Sequence, residues 1–334
     1  MTWALLIEWV VKSLIIILGM TIGFAYVTLF ERKVLARMQV RIGPNRAGRG
    51  GILQPVADAL KLIFKEEITP VNADKLLFIL APVLTVIPAL IITGVVPWGP
   101  PVTLLGKEFT LGLADINVGV LYLLTVTSIS IYGITLAGWS SNNKYATMGG
   151  LRATAQMISY ELALGLSFIG PIMLAGSMSL VDIVNAQKDM WNVVYQPLGA
   201  IIYAVAVMAE INRAPFDMPE AEQELTAGYH VEYSGMKFAL FFMAEYIKMI
   251  AISMIGATLY LGGFQGPFLD QLPWLGPIYL VIKVVFILFI LVWLRATLPR
   301  FRYDRLMAFG WKILFPLALF NVMITAVVLK LVGG

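Results

Sequence analysis

Gly276-Pro-Ile-Tyr-Leu-Val-Ile-Lys-Val-Val-Phe-Ile-Leu-Phe-Ile-Leu-Val-Trp-Leu-Arg-Ala-Thr-Leu298 holds two basic and no acidic side chains in 23 residues. A helix needs about 20 apolar residues to cross ~30 Å of hydrocarbon, so this stretch is long enough to span a bilayer. Seven further runs read the same way: 3–30, 76–98, 116–138, 155–174, 195–211, 236–261 and 308–331. None sustains the period-two alternation of a barrel strand. The expected fold class is therefore an all-α integral membrane protein of eight transmembrane helices. With no internal repeat and no low-complexity segment, it forms a single polytopic membrane domain over 1–334. Glu8 precedes the core of the first run and no small-residue cleavage pattern follows, so that run reads as a retained helix.

Composition agrees. The 334 residues are 59% hydrophobic and 13% charged, with a mean hydropathy of +0.84, where a soluble domain keeps about a quarter of its residues charged. That excludes an ordinary soluble enzyme, a disordered chain and a nucleic-acid binder. There is no cysteine, so disulfides and thiolate-held iron–sulfur clusters are excluded. The single histidine, His230, cannot supply both imidazoles of a membrane b-type haem. Any metal centre serving electron transfer lies in another chain. No nucleophile–base pair, phosphate loop or metal-ligand spacing appears. His230 with Glu232 reads as a hydrogen-bonded surface pair, and Asn142–Asn143 as a loop tip.

Seventeen lysines and arginines fall in or at the edges of the odd-numbered connections, Arg295 and Lys312 just inside the flanking runs, and two, Lys107 and Lys188, in the even ones. The positive-inside rule then puts the odd connections in the cytoplasm and both termini outside. Within the first connection, Leu53, Val56, Leu60, Ile63 and Phe64 recur at helical spacing opposite Gln54, Asp58, Lys61 and Lys65. Residues 52–65 are too short to span. Their two-faced pattern suits either a short amphipathic helix in the membrane interface or a lid on the bundle's own apolar surface. Both describe a greasy slot through which a lipid-soluble ligand enters sideways.

Ionisable groups inside hydrocarbon cost about 2.5–3.5 kcal/mol each and persist mainly where function or pairing offsets the cost. Glu161 lies a few residues inside the cytoplasmic end of the fourth span, Glu210 at the cytoplasmic end of the fifth, and Glu245 about eight residues into the sixth from the same side. Lys248 follows Glu245 by one turn, and Lys283 lies about seven residues into the seventh span from the outside. If their faces point inward, they form a descending line of carboxylates ending in lysines. Burial and like charges raise a carboxyl's pKa and a nearby lysine lowers it, which is the chemistry of a proton path. The bland alternative is a static Glu245–Lys248 pair. The fifth connection, within the acidic loop 210–235, reads Ala209-Glu-Ile-Asn-Arg-Ala-Pro-Phe-Asp-Met-Pro-Glu-Ala-Glu-Gln-Glu-Leu225. Asp217 before Pro219 and Glu220 suits a helix N-cap with an acidic first turn. That does not explain Glu210, Glu222, Glu224 and Glu232. An acidic cup gathering protons does, with Arg213 as its counter-ion.

At these residues the chain resembles a known family. Glu31-Arg-Lys-Val-Leu35, Arg41-Ile-Gly-Pro-Asn45 and Leu53-Gln-Pro-Val-Ala-Asp58 are similar to the start of the H subunit (chain 1) family of proton-pumping NADH–quinone oxidoreductase, respiratory complex I. The likeness continues through Gly138-Trp-Ser-Ser-Asn-Asn-Lys-Tyr145, Arg152-Ala-Thr-Ala-Gln-Met-Ile-Ser-Tyr-Glu161 and the acidic loop. It runs on through Glu232-Tyr-Ser-Gly-Met-Lys-Phe-Ala-Leu-Phe-Phe242, Ala244-Glu-Tyr246 and Leu294-Arg-Ala-Thr-Leu-Pro-Arg-Phe-Arg-Tyr-Asp304.

The resemblance implies an eight-helix subunit of a bacterial cell (inner) membrane, joining the other membrane-arm subunits to the quinone-module peripheral subunits. It implies quinone as substrate and no cofactor bound by this chain, with FMN and iron–sulfur clusters in partner subunits. By matched position, Arg32, Arg41, the interfacial helix around Lys61, and Phe242 border a quinone tunnel. Glu161, Glu210, Asp217, Glu220, Glu222, Glu224, Glu232 and Glu245 belong to a proton route. Basic loops around 32–49 and 295–305 dock the peripheral subunits. Two other readings keep the same residues. Homologous subunits serve membrane hydrogenases and ferredoxin-linked complexes, and buried Glu and Lys residues also suit a stand-alone proton or cation antiporter. The antiporter predicts inverted repeats with broken helices, and the sequence holds no such repeat.

Overall fold

The structure is a computed structural model that describes residues 3–104, 107–217, 226–269 and 271–332. The described residues form a helical bundle. The long helices are α1 (Trp3–Met38), α3 (Lys75–Ile92), α4 (Gly119–Ser140), α5 (Lys144–Ala175), α9 (Gly235–Tyr260) and α10 (Leu275–Thr297). Shorter helices are α2 (Gln54–Ile63), α6 (Leu180–Ala186), α7 (Asn192–Tyr195) and α8 (Pro197–Glu210). At the C-terminal end, α11 (Tyr303–Phe309) runs through a π-turn at Gly310–Leu314 into α12 (Phe315–Val332).

Seven of these helical segments, counting α11 to α12 as one, are long and apolar enough to cross a membrane, which makes this a multi-pass membrane protein. The exception is α8. The expected run 195–211 is interrupted by Gln196-Pro197, and proline opens the helix at its first turn, where a missing N–H costs nothing. The resulting 14 residues reach about 21 Å. The bundle is all-α as expected, with one short non-helical addition. Between α3 and α4 the chain forms a two-stranded antiparallel hairpin, β1 (Val102–Leu104) with β2 (Lys107–Phe109), in the register Val102↔Phe109 and Leu104↔Lys107. Its β-branched and aromatic residues suit strands, and the pattern is too short to stand out among long apolar runs.

Helix starts follow local chemistry. The Asp74 carboxylate accepts from the backbone N–H of Leu76 and Leu77 to cap α3, and Asn143 caps α5 by accepting from Tyr145 N–H. Such caps satisfy N–H groups that have no partner within the helix. Helix α9 is the centre of the bundle: its residues from Tyr246 to Tyr260 are all buried, and α1, α3 and α10 pack around it. Helix α5 packs on α4, α8 and α12. Glycines allow the closest crossings. A Cβ on Gly138 of α4 would lie 2.6 Å from the Ala146 carbonyl oxygen of α5, so bulk there would push the two helices apart.

The amphipathic segment is a helix, α2, as its spacing predicts. The segment's apolar residues Leu53, Val56, Leu60, Ile63 and Phe64 are all exposed, so the rest of the chain does not cover them. An ion pair of 2.6 Å between Asp58 and Arg32 ties α2 to the end of α1.

Candidate functional site

Buried charge gathers at the end of the bundle that carries the basic connections. Glu210, the last residue of α8, is 1% exposed, and Lys248 of α9 donates to it at 2.7 Å. The ammonium also lies 3.5 Å from Ser130 Oγ of α4. Glu245, one turn before Lys248, contacts the Arg213 guanidinium instead. Arg213 is also 3.5 Å from Glu31 of α1 and lies 4.6 Å from the centre of the Tyr246 ring. Glu31, 3% exposed, contacts Arg295 at the end of α10 as well. Acid and base therefore alternate from α10 to α1, to the loop after α8, and to α9. A cavity of about 40 Å³ adjoins them, lined by Glu210, Glu245, Lys248, Ser130, Thr85 and Asn212 among others. A water needs roughly 10–15 Å³ and two to four polar partners, so this space suits two or three waters linking Glu210 to Glu245.

The loop that carries Arg213 is held by one side chain. Gln156 of α5 is fully buried. Its amide donates to the carbonyls of Ala209 at 2.9 Å and Phe216 at 2.7 Å, and lies 3.1 Å from Asn212 Oδ1. Asp217 is buried against Arg300 at 2.9 Å, and Phe301 N–H donates to the Pro215 carbonyl.

Expected partners and observed partners differ in several places. Lys248 does pair, but with Glu210 across helices rather than with its neighbour Glu245. Arg213 contacts Glu245 and a carboxylate not singled out from sequence, Glu31. Glu161 contacts the Ser128 hydroxyl and lies 3.5 Å from Thr127 Oγ1. Lys283 is not brought to the carboxylates: it donates to the carbonyls of Gly263 and Gln265 at 2.8 and 2.7 Å and lies over the Trp191 ring. Glu232 accepts from Asn143 at 2.6 Å. His230 is buried, edge-on to Tyr229 and near Phe238, so its expected place at the surface is corrected. Burial pushes the neighbouring Tyr233 hydroxyl up to about 12; its ring stacks on Phe78 with 3.9 Å between centres. Glu220, Glu222 and Glu224 lie outside the described residues. Among the described residues no group of three or more His, Asp or Glu could hold a metal ion.

Arg32 and Arg41 line an open groove of about 450 Å³ with Leu35, Ile42 and Pro44. Phe242 stands between Phe238 and Tyr246 in an aromatic row on α9, with ring centres 4.7 and 6.4 Å apart, and Phe24 of α1 meets Tyr246 at 6.0 Å. Lys61 is on the exposed side of α2.

A family profile described as NADH dehydrogenase matches residues 11–326. The chain is 52% identical over 324 residues to the H subunit of NADH-quinone oxidoreductase from Thermomicrobium roseum, covering 94% of each chain. The chain belongs to the family of NADH-quinone oxidoreductase H subunits. It is also similar to the H 2 subunit of Geobacter sulfurreducens, at 50% identity over 92% of each chain. Subunit 8 of Thermus thermophilus is 48% identical over 99% of this chain and 90% of that one. Since the match covers nearly the whole chain, the charged seam, the aromatic row and α2 all lie within the family region. Two features of the site escaped sequence reasoning. Glu31 follows directly on the first apolar run, at the same kind of depth as the other buried acids. Gln156 sits in a polar stretch of a long apolar helix, and that placement was the available signal.

Proposed function

We propose that this chain is the H subunit of a proton-pumping NADH–quinone oxidoreductase of a bacterial inner membrane. In that reading it forms much of the quinone-access tunnel and couples quinone reduction to proton translocation. As one membrane domain it crosses eight times, with both termini outside. Helix α8 supplies the eighth crossing: Gln196 before it and Glu210 at its end are both buried by neighbouring helices, so protein rather than lipid covers its short ends. Helix α2 lies in the membrane interface. FMN and iron–sulfur clusters belong to partner subunits, in keeping with a chain that has no cysteine. Peripheral subunits meet the basic connections.

The observation that carries this reading is the cavity shared by Glu210, Glu245 and Lys248, next to the Arg213–Glu31–Arg295 chain. Reducing a quinone to a quinol takes up two protons and creates transient negative charge. Near such a charge, cations shift and carboxylates are drawn to protonation. Arg213, Lys248 and their acids are placed to feel that change and pass it on. Arg32, Arg41, Lys61 and Phe242 border the quinone path, and Glu161, Glu210, Asp217, Glu232 and Glu245 the proton route.

Two outcomes test this in the assembled complex in vesicles. Glu210→Gln or Glu245→Gln lowers the protons moved per electron, and unchanged ratios in both remove the coupling role. Arg41→Ala raises the KM for quinone or weakens inhibitor binding. Equal KM and inhibitor values refute its tunnel placement.

A further inference from the structure

Helix α8 begins inside the protein rather than at its surface. Gln196, the residue before it, is 4% exposed, and Pro197 opens the first turn with no N–H to offer. A helix leaves its first N–H groups without a partner of its own, and among the described residues no side chain caps this one. Lipid cannot meet those groups.

Two buried polar atoms at the same end are also unsatisfied. Gln196 Oε1 and Asn321 Nδ2 of α12 form no hydrogen bond among the described residues, and Asn321 is only 5% exposed. Their neighbours are already committed. Gln196 Nε2 lies 3.4 Å from Thr325 Oγ1, which donates to the Asn321 carbonyl at 2.8 Å. The Tyr260 hydroxyl of α9 donates to the Ser167 carbonyl of α5 at 2.7 Å, which leaves its oxygen able to accept.

Two glycines make this arrangement possible. A Cβ on Gly199 of α8 would stand 3.1 Å from Asn321 Nδ2, 3.2 Å from Tyr260 Oη and 3.5 Å from Gln196 Oε1. All three polar atoms therefore converge on its bare Cα. A Cβ on Gly170 of α5 would lie 1.9 Å from Gln196 Oε1, so that glycine gives the amide its seat.

We propose that these groups form a binding site for one internal water, which caps the start of α8 and fastens it to α9 and α12. The chemistry selects water over an ion. An unused acceptor, Gln196 Oε1, stands near an unused donor, Asn321 Nδ2. A water donates to the first and accepts from the second, and keeps one proton and one lone pair for Tyr260 Oη and the N–H groups of α8. An anion would face the amide oxygen of Gln196. A cation would face the Asn321 N–H groups and the positive end of the helix. The site lies at the opposite end of α8 from Glu210 and stands independently of the coupling role.

A density map of the assembled complex, fine enough to show waters, tests this directly. A peak is expected about 2.7–3.2 Å from both Gln196 Oε1 and Asn321 Nδ2, and it is lost in Gly199→Ala, whose methyl group crowds the site. No peak in the unmodified complex, or the two amides bonded directly to each other, overturns the proposal. Melting of Asn321→Leu separates the alternatives by sign and stays decisive should Gly199→Ala fail to assemble. Were Asn321 Nδ2 unpaired, an apolar replacement would remove a penalty, and the complex would melt at the same or a higher temperature. With water bound, the variant loses its bonds, strands Gln196 Oε1 and melts lower. An equal or higher melting temperature overturns the site. So does an unmodified complex that melts lower when gluconate replaces chloride at constant ionic strength, which would mark an anion there.

Discussion

Lys248→Met is expected to cost about 3–5 kcal/mol, the usual penalty for removing one partner of a buried ion pair. The Glu210 side chain is fully enclosed, and its contact with Lys248 is 2.7 Å. Taking away the ammonium strands a carboxylate beside a small cavity, with only Asn212, Ser130, Thr85 and a few waters to solvate it. Whole-domain stabilities are about 5–15 kcal/mol, so the loss reads out as a clearly lower melting temperature and reduced incorporation into the complex. Lys248→Met combined with Glu210→Gln removes the stranded charge and keeps its shape. That double variant should regain most of the lost stability without regaining pumping. If the double variant melts as low as the sum of the two singles, the pair carries no coupling energy and the account fails.

The second large effect is at Arg213. Its guanidinium spans Glu245 and Glu31 and lies on the Tyr246 ring. Removing it treats its two acids unequally. Glu31 keeps Arg295, while the cation seen against Glu245 is gone. Arg213→Leu is therefore expected to cost about 3–5 kcal/mol, and adding Glu245→Gln should return most of it. Arg213→Lys should recover only part. An ammonium is a compact point charge that neither spans two carboxylates as a planar fork nor stacks flat on an aromatic ring. Melting of the complex gives the stability side, and protons moved per electron the functional side. Full recovery of both in Arg213→Lys would show that charge alone matters at this position.

Sequence periodicity located the long helices well because hydrocarbon demands an unbroken apolar run. The run 276–298 became Leu275–Thr297, and 236–261 became Gly235–Tyr260. Where the fold obeyed a local rule, as at Gln196-Pro197 or in the β1–β2 hairpin, hydropathy alone missed it. The site was half legible. Acids announce themselves by their cost in an apolar helix, so Glu161, Glu210 and Glu245 stood out. Partner choice did not. Glu245 and Lys248 are one turn apart, yet Lys248 bonds to Glu210 and Glu245 to Arg213, because tertiary packing brings those groups together across elements. Lys283 shows the converse: it stood out for the same reason as the acids, yet its ammonium is satisfied by backbone carbonyls.

Helix α1 has 36 residues, and its apolar run 3–30 is 28 residues long, or about 42 Å at 1.5 Å per residue, against ~30 Å of hydrocarbon. Little of its apolar window is covered by the rest of the chain, yet it carries Glu31 into contact with two arginines near its far end. An overlong, loosely packed rod answers a thinner or thicker bilayer by changing its tilt. The seat of Glu31 moves with that tilt, so lipid chain length becomes a variable that acts directly on the charged seam.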